Sequence, residues 1–134
     1  MMNWDLNDEE KMLKNSAADY FREKFPIQNL RRMRDTQDPV GFSRETWRDM
    51  ANLGWTGILI TEEYGGTDFG FRGLGLVLEA AGRQLAATPL LSTVAGASHL
   101  LQKCGSAEQK ESFLPAIATG DTIVALAHDE GGPG

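Results

Sequence analysis

Cysteine is almost absent from this chain: Cys104 is alone among 134 residues. One thiol makes no internal disulfide, so a reducing, cytoplasmic compartment is the expectation. It sits in the last turn of an expected helix, where a small buried thiol is expected rather than a nucleophile. Histidine is also scarce, with only His99 and His128. His99 has no second ligand-type residue at i±3 or i±4, so no metal site is expected. A basic excess is missing: 13 Lys and Arg face 19 Asp and Glu, for a net charge of −6. That balance argues against nucleic acid, which needs a cationic footprint. Arg31, Arg32 and Arg34 cluster, but Asp35 and Asp38 break the cluster up. No apolar run reaches the ~18 residues of a membrane span. The acidic start, with Asp5, Asp8, Glu9 and Glu10, is unlike a signal peptide. The length suits one domain, or one domain plus the start of another.

Glycine, by contrast, is plentiful and clustered. Residues 54–66 read Gly-Trp-Thr-Gly-Ile-Leu-Ile-Thr-Glu-Glu-Tyr-Gly-Gly. Ile58, Leu59 and Ile60 form an apolar core bracketed by glycines that permit tight turns. The segment reads as a short buried connector. Glu62 and Glu63 are expected to cap or bridge within it rather than to act as acids.

Helices are predicted around the connector from caps and periodicity. The first spans about 8–24, with Asn7 as N-cap and Glu10 completing a capping box. Pro26 stops it, and residues 27–41 read as an irregular polar loop. The second starts at Ser43, with Phe42 and Trp47 placed as a hydrophobic staple and Gly54 as a left-handed cap. The third covers about 71–84, with Leu74, Val77, Leu78 and Ala81 as its apolar stripe. Gly73, Gly75 and Gly82 inside it suggest close approach of a neighbour. The fourth spans about 89–103, with Thr88 as N-cap. Nothing before Lys103 is charged, and the middle is small residues, so burial on most sides is expected. Ser106 and Gln109 form a capping box for a fifth helix, which Pro115 is expected to kink or end early. Thr122–Ala127 has the β-branched content of one strand. A lone strand lacks partners, which suggests a fragment. The fold class expected is therefore all-α: a bundle of about five helices with one C-terminal β-strand. The boundaries are a helical domain at 1–120 and the start of a second domain at 121–134.

Two motifs carry a resemblance. Residues 54–66 are similar to G-W-x-G-x-x-x-P-E-E-Y-G-G, with Thr61 in place of proline, and residues 105–115 are similar to G-x-x-E-Q-K-x-x-x-L-P. In this order and separation they resemble the N-terminal helical domain of acyl-CoA dehydrogenases. That resemblance implies oxidation of an acyl-CoA thioester to the enoyl-CoA, with hydride passing to FAD. It places the catalytic base in a C-terminal helical domain, so no catalytic residue is assigned here. It implies that Thr88, Ser92, Ala95, Gly96 and His99 line an acyl pocket. It also implies flavin contacts from Leu126, Ala127, His128, Asp129, Glu130 and Gly131. The family segment is similar to T-E-P-x-x-G-S-D, and only Glu130 matches it well. FAD is thus expected in a full-length parent and not in this chain alone. Acyl-CoA, an electron acceptor and a homo- or hetero-oligomer are the implied partners. The alternative is a stand-alone, non-catalytic helical interaction or regulatory module built on the same fold.

Overall fold

The computed structural model describes residues 5–128, 131 and 132. Helix α1 spans Asp8–Lys24. The capping box at its start is complete: Glu10 N donates to Asn7 Oδ1 at 2.8 Å, and Asn7 N donates to Glu10 Oε2 at 2.9 Å. Glu10 is buried, and Arg72 Nε lies 3.1 Å from its Oε1. That pair ties α1 to α4, which spans Phe71–Arg83 and packs along it.

The segment after Pro26 is not the irregular loop expected from its polarity. Ile27–Asp35 forms helix α2, which buries none of its residues. Its polar composition hid a helix that lies on the surface. Helix α3 spans Arg44–Asn52 under the Ser43 cap, and Gly54 has φ +82° as its left-handed exit.

Between α3 and α4 the connector plunges into the molecule. Trp55, Ile58, Leu59 and Ile60 are all buried. Glu62–Tyr64 makes one 3₁₀ turn that ends at Gly65, φ +83°. Gly66 then passes so close that a Cβ there would stand 1.9 Å from the Ile60 carbonyl oxygen. Only glycine fits that crossing. In α4 a Cβ at Gly73 would stand 2.2 Å from Phe69, whereas Gly75 and Gly82 meet nothing within 4 Å. Close approach therefore explains one of those three glycines.

The fourth expected helix is two structures in one. Leu91–Ser98 is π-helical and runs directly into the α-helix α5, His99–Cys104. Its i→i+5 bonding widens the backbone. Thr93, Val94, Ala97 and Ser98 are buried, yet Leu91 and Ser92 are exposed. The segment is two-faced, not enclosed on most sides. Cys104 is exposed rather than buried. Helix α6, Ala107–Ala118, starts at the Ser106–Gln109 capping box and runs through Pro115 without ending there.

The expected strand does not form. Residues 122–127 carry no strand pairing, and no strand occurs among the described residues. A ladder needs a second strand, and this segment instead lies on the helices. Its carbonyls and those before it are held one by one: Thr56 Oγ1 donates to Ala118 O, Trp47 Nε1 to Gly120 O and Thr93 Oγ1 to Val124 O, at 2.8, 3.0 and 2.8 Å.

The larger core gathers Phe21, Trp47, Met50, Trp55, Leu74, Val77 and Val94 from α1, α3, the connector, α4 and the π-helical turn. Phe21 stacks on Trp55 with centroids 5.6 Å apart. A smaller cluster joins Ile60 to Leu114, Ile117 and Ala118 of α6. The connector supplies both, so it is the piece that welds α6 to the rest.

Candidate functional site around the small-residue helix

The π-helical turn and α5 present two clefts. The larger, about 540 Å³, lies between the connector and α5–α6. His99 lines it and meets Phe71 edge-on, with centroids 4.9 Å apart. Gln102 holds its floor, donating to Leu59 O at 2.8 Å and accepting from Thr61 N at 3.2 Å. The smaller cleft, about 170 Å³, is apolar and lined by Ala97, Leu100, Leu101, Phe113, Val124 and Leu126, with Ala125.

The five residues implied as acyl-pocket liners do not converge on one cavity. Thr88 turns inward, its hydroxyl 3.9 Å from Met50 Sδ, rather than capping the helix. Ser92 is exposed and bonds Pro89 O at 3.1 Å. Ala95 packs against the larger core, and a Cβ at Gly96 would sit 3.6 Å from Leu126 Cβ. Only His99 reaches the larger cleft. The structure does bring Gly96 near Leu126, close enough that a side chain at 96 would meet it.

Of that flavin segment, Leu126, Ala127, His128 and Gly131 are exposed, and Asp129 and Glu130 lie outside the described residues. The cleft at Leu126 is smaller than the ~300 Å³ at which small-molecule pockets begin. Glu62 and Glu63 are exposed on the 3₁₀ turn. The Tyr64 pKa is pushed up by partial burial, then by the neighbouring Glu63 carboxylate and by the charge of Glu111. Among the described residues no three His, Cys, Asp or Glu side chains are grouped to hold a metal ion. No described helix is long and apolar enough to cross a membrane.

Sequence reasoning missed Gln102, Phe71 and Thr93. Gln102 carries no motif, because its role depends on the Thr61 N–H and the Leu59 carbonyl, 41 and 43 residues away. Phe71 was hidden as an ordinary helix-start residue.

The profile of the acyl-CoA dehydrogenase N-terminal domain matches residues 7–121. The chain belongs to this family. Mitochondrial isovaleryl-CoA dehydrogenase of Bos taurus is 33% identical over 129 residues, covering 93% of this chain and 29% of the bovine protein. Acyl-CoA dehydrogenase FadE27 of Mycobacterium tuberculosis is 37% identical over 88 residues, covering 66% of this chain and 24% of its own length. The chain thus spans under a third of the curated acyl-CoA dehydrogenases it matches. Among solved structures, the ChsE4-ChsE5 complex from Mycobacterium tuberculosis superposes with a TM-score of 0.84 at 28% identity, covering 99% of this chain and 36% of that one. A variant of the Tcur3481-Tcur3483 steroid ACAD superposes at 0.78 and 29% identity, covering 88% and 32%. The all-α fold of an acyl-CoA dehydrogenase N-terminal domain accounts for the helix order, the buried connector and the capped α6.

Proposed function

We propose that residues 1–120 act as the helical wall of a flavin-dependent acyl-CoA dehydrogenase. In this reading the π-helical turn and Gly96 border the acyl group. Residues 121–134 begin a second domain that contributes to the flavin site. The reaction is α,β-dehydrogenation of an acyl-CoA thioester, and no residue of this chain is assigned as its base. The family match over residues 7–121 carries this reading. The nearness of Gly96 to Leu126 supports it, since substrate and flavin must meet for hydride transfer. The partners in this reading are acyl-CoA, an electron acceptor and further copies or homologues in an oligomer. A reducing, cytoplasmic setting is proposed on the single exposed Cys104. The test is the visible absorbance of the purified 134-residue chain after incubation with FAD and gel filtration. No retained flavin is expected, and a stoichiometric flavin spectrum would contradict the division of labour.

A second reading is a stand-alone docking module. Leu91, Leu100, Phe113 and Leu126 favour it, being large, apolar and 41–66% exposed. Light scattering separates the two: a module with a fixed partner stoichiometry forms a defined oligomer, whereas a wall domain alone does not.

A further inference from the structure

The 540 Å³ cleft shares only His99 with the implied acyl-pocket residues, and neither reading uses the rest of it. Its connector lip carries Glu63 and Asp68, and its helical wall carries Lys103 and Lys110. Two carboxylates and two ammonium groups thus balance in formal charge across the lining. The ion pairs of the described residues include none of Asp68, Lys103 or Lys110. Charges of both signs thus border one space without neutralising each other within salt-bridge distance.

The floor does not select a ligand, because both amide groups of Gln102 are already bonded to the connector. Recognition falls to the lip charges and to the aromatic end made by Phe71 and His99. A polyanion would meet Glu63 and Asp68, and a polycation would meet the lysines. A wholly apolar guest would leave the charges of the exposed Glu63, Asp68 and Lys103 without a partner. A ligand with one charge of each sign and a flat apolar body avoids all three costs. The volume is that of a small-molecule site. We propose that this cleft binds a small aromatic zwitterion of the amino-acid class. Its carboxylate lies at Lys103 and Lys110, its ammonium at Asp68 and its ring against Phe71 and His99.

The experiment is an NMR titration of the isotope-labelled 134-residue chain with L-phenylalanine. Phenylpropionate, which lacks the ammonium, and phenethylamine, which lacks the carboxylate, are titrated in parallel. Saturable shifts at Gly70, His99 and Gln102 are expected for phenylalanine. Each single-charge analogue is expected to bind about tenfold more weakly, the scale of one charge-assisted hydrogen bond. Lys103→Gln with Lys110→Gln should lower phenylalanine binding to the phenethylamine level. Asp68→Asn should lower it to the phenylpropionate level. Asp68 has φ +49°, which asparagine tolerates, so that variant keeps the loop. A thermal melt confirms that each variant is folded. Equal affinity for the three probes, or no saturable shift at these residues, would overturn the proposal.

Discussion

Thr61 stands where the family motif has proline, and its surroundings show how this chain uses the difference. Its φ of −63° and ψ of 153° already suit proline. Its N–H, which proline would lack, donates to Gln102 Oε1 at 3.2 Å, while its own Oγ1 is buried without a partner. Proline at a compatible position stabilises by roughly 0.4–1 kcal/mol, and loss of a hydrogen bond costs about 1 kcal/mol. Thr61→Pro should therefore change stability by less than about 0.5 kcal/mol in the natural background. In a Gln102→Leu background it should stabilise by roughly 0.4–1 kcal/mol, because no partner is then lost. Urea denaturation of the four chains measures this coupling, and equal effects in both backgrounds would refute it. Tyr20 gives a pH-dependent counterpart. Burial, then the Asp49 charge, raises its pKa, and its hydroxyl donates to Thr46 O at 3.1 Å. The folded chain thus prefers the neutral phenol. Stability from Tyr20 is full below its unfolded pKa of about 10 and is lost as pH climbs from there through the folded value. The urea midpoint should fall more between about pH 8 and about pH 11 than in Tyr20→Phe, which removes the titrating group.

Elements were legible wherever a local signal fixed them. Asn7, Ser43 and Ser106 each cap the helix that the sequence assigns to them, because capping needs only residues within one turn. Helix α2 has no capping side chain and buries no residue fully; Ile27, Leu30 and Met33 recur on one face, but so short an apolar pattern was outweighed by the polar residues around it. The π-helical turn was invisible for a different reason. Its residues are compatible with an α-helix, and the width depends on packing that the sequence does not print. The strand at 122–127 failed because pairing is non-local, whereas the hydroxyls of Thr56 and Thr93 act on single carbonyls. Glycines make the sharpest test at this scale. Gly66→Ala forces a Cβ against the Ile60 carbonyl, which also accepts from Asp68 N at 3.0 Å, and should cost about 3 kcal/mol. Gly75→Ala enters open space within α4 and should stabilise by roughly 0.5–1 kcal/mol. Thermal unfolding of the pair should move the midpoint in opposite directions.

For the whole molecule, family and fold were readable from two motifs, while the site was only partly so. The motifs mark the connector and the start of α6, the parts that join the two apolar clusters. The implied pocket residues scatter instead among a core contact, a surface position, a place near Leu126 and the larger cleft. Their common wall is not closed within the described residues, and Leu91, Leu100, Phe113 and Leu126 leave apolar surface for another part to cover. A helical wall of this kind should work when placed in a complete acyl-CoA dehydrogenase. The direct measurement is a chimaera in which residues 7–121 replace the matching domain of bovine isovaleryl-CoA dehydrogenase. Its visible flavin absorbance is recorded anaerobically against straight, branched and ring-bearing acyl-CoA thioesters. A yellow protein whose flavin bleaches with at least one of them is expected. A chimaera that retains FAD and stays oxidised with every thioester would contradict it.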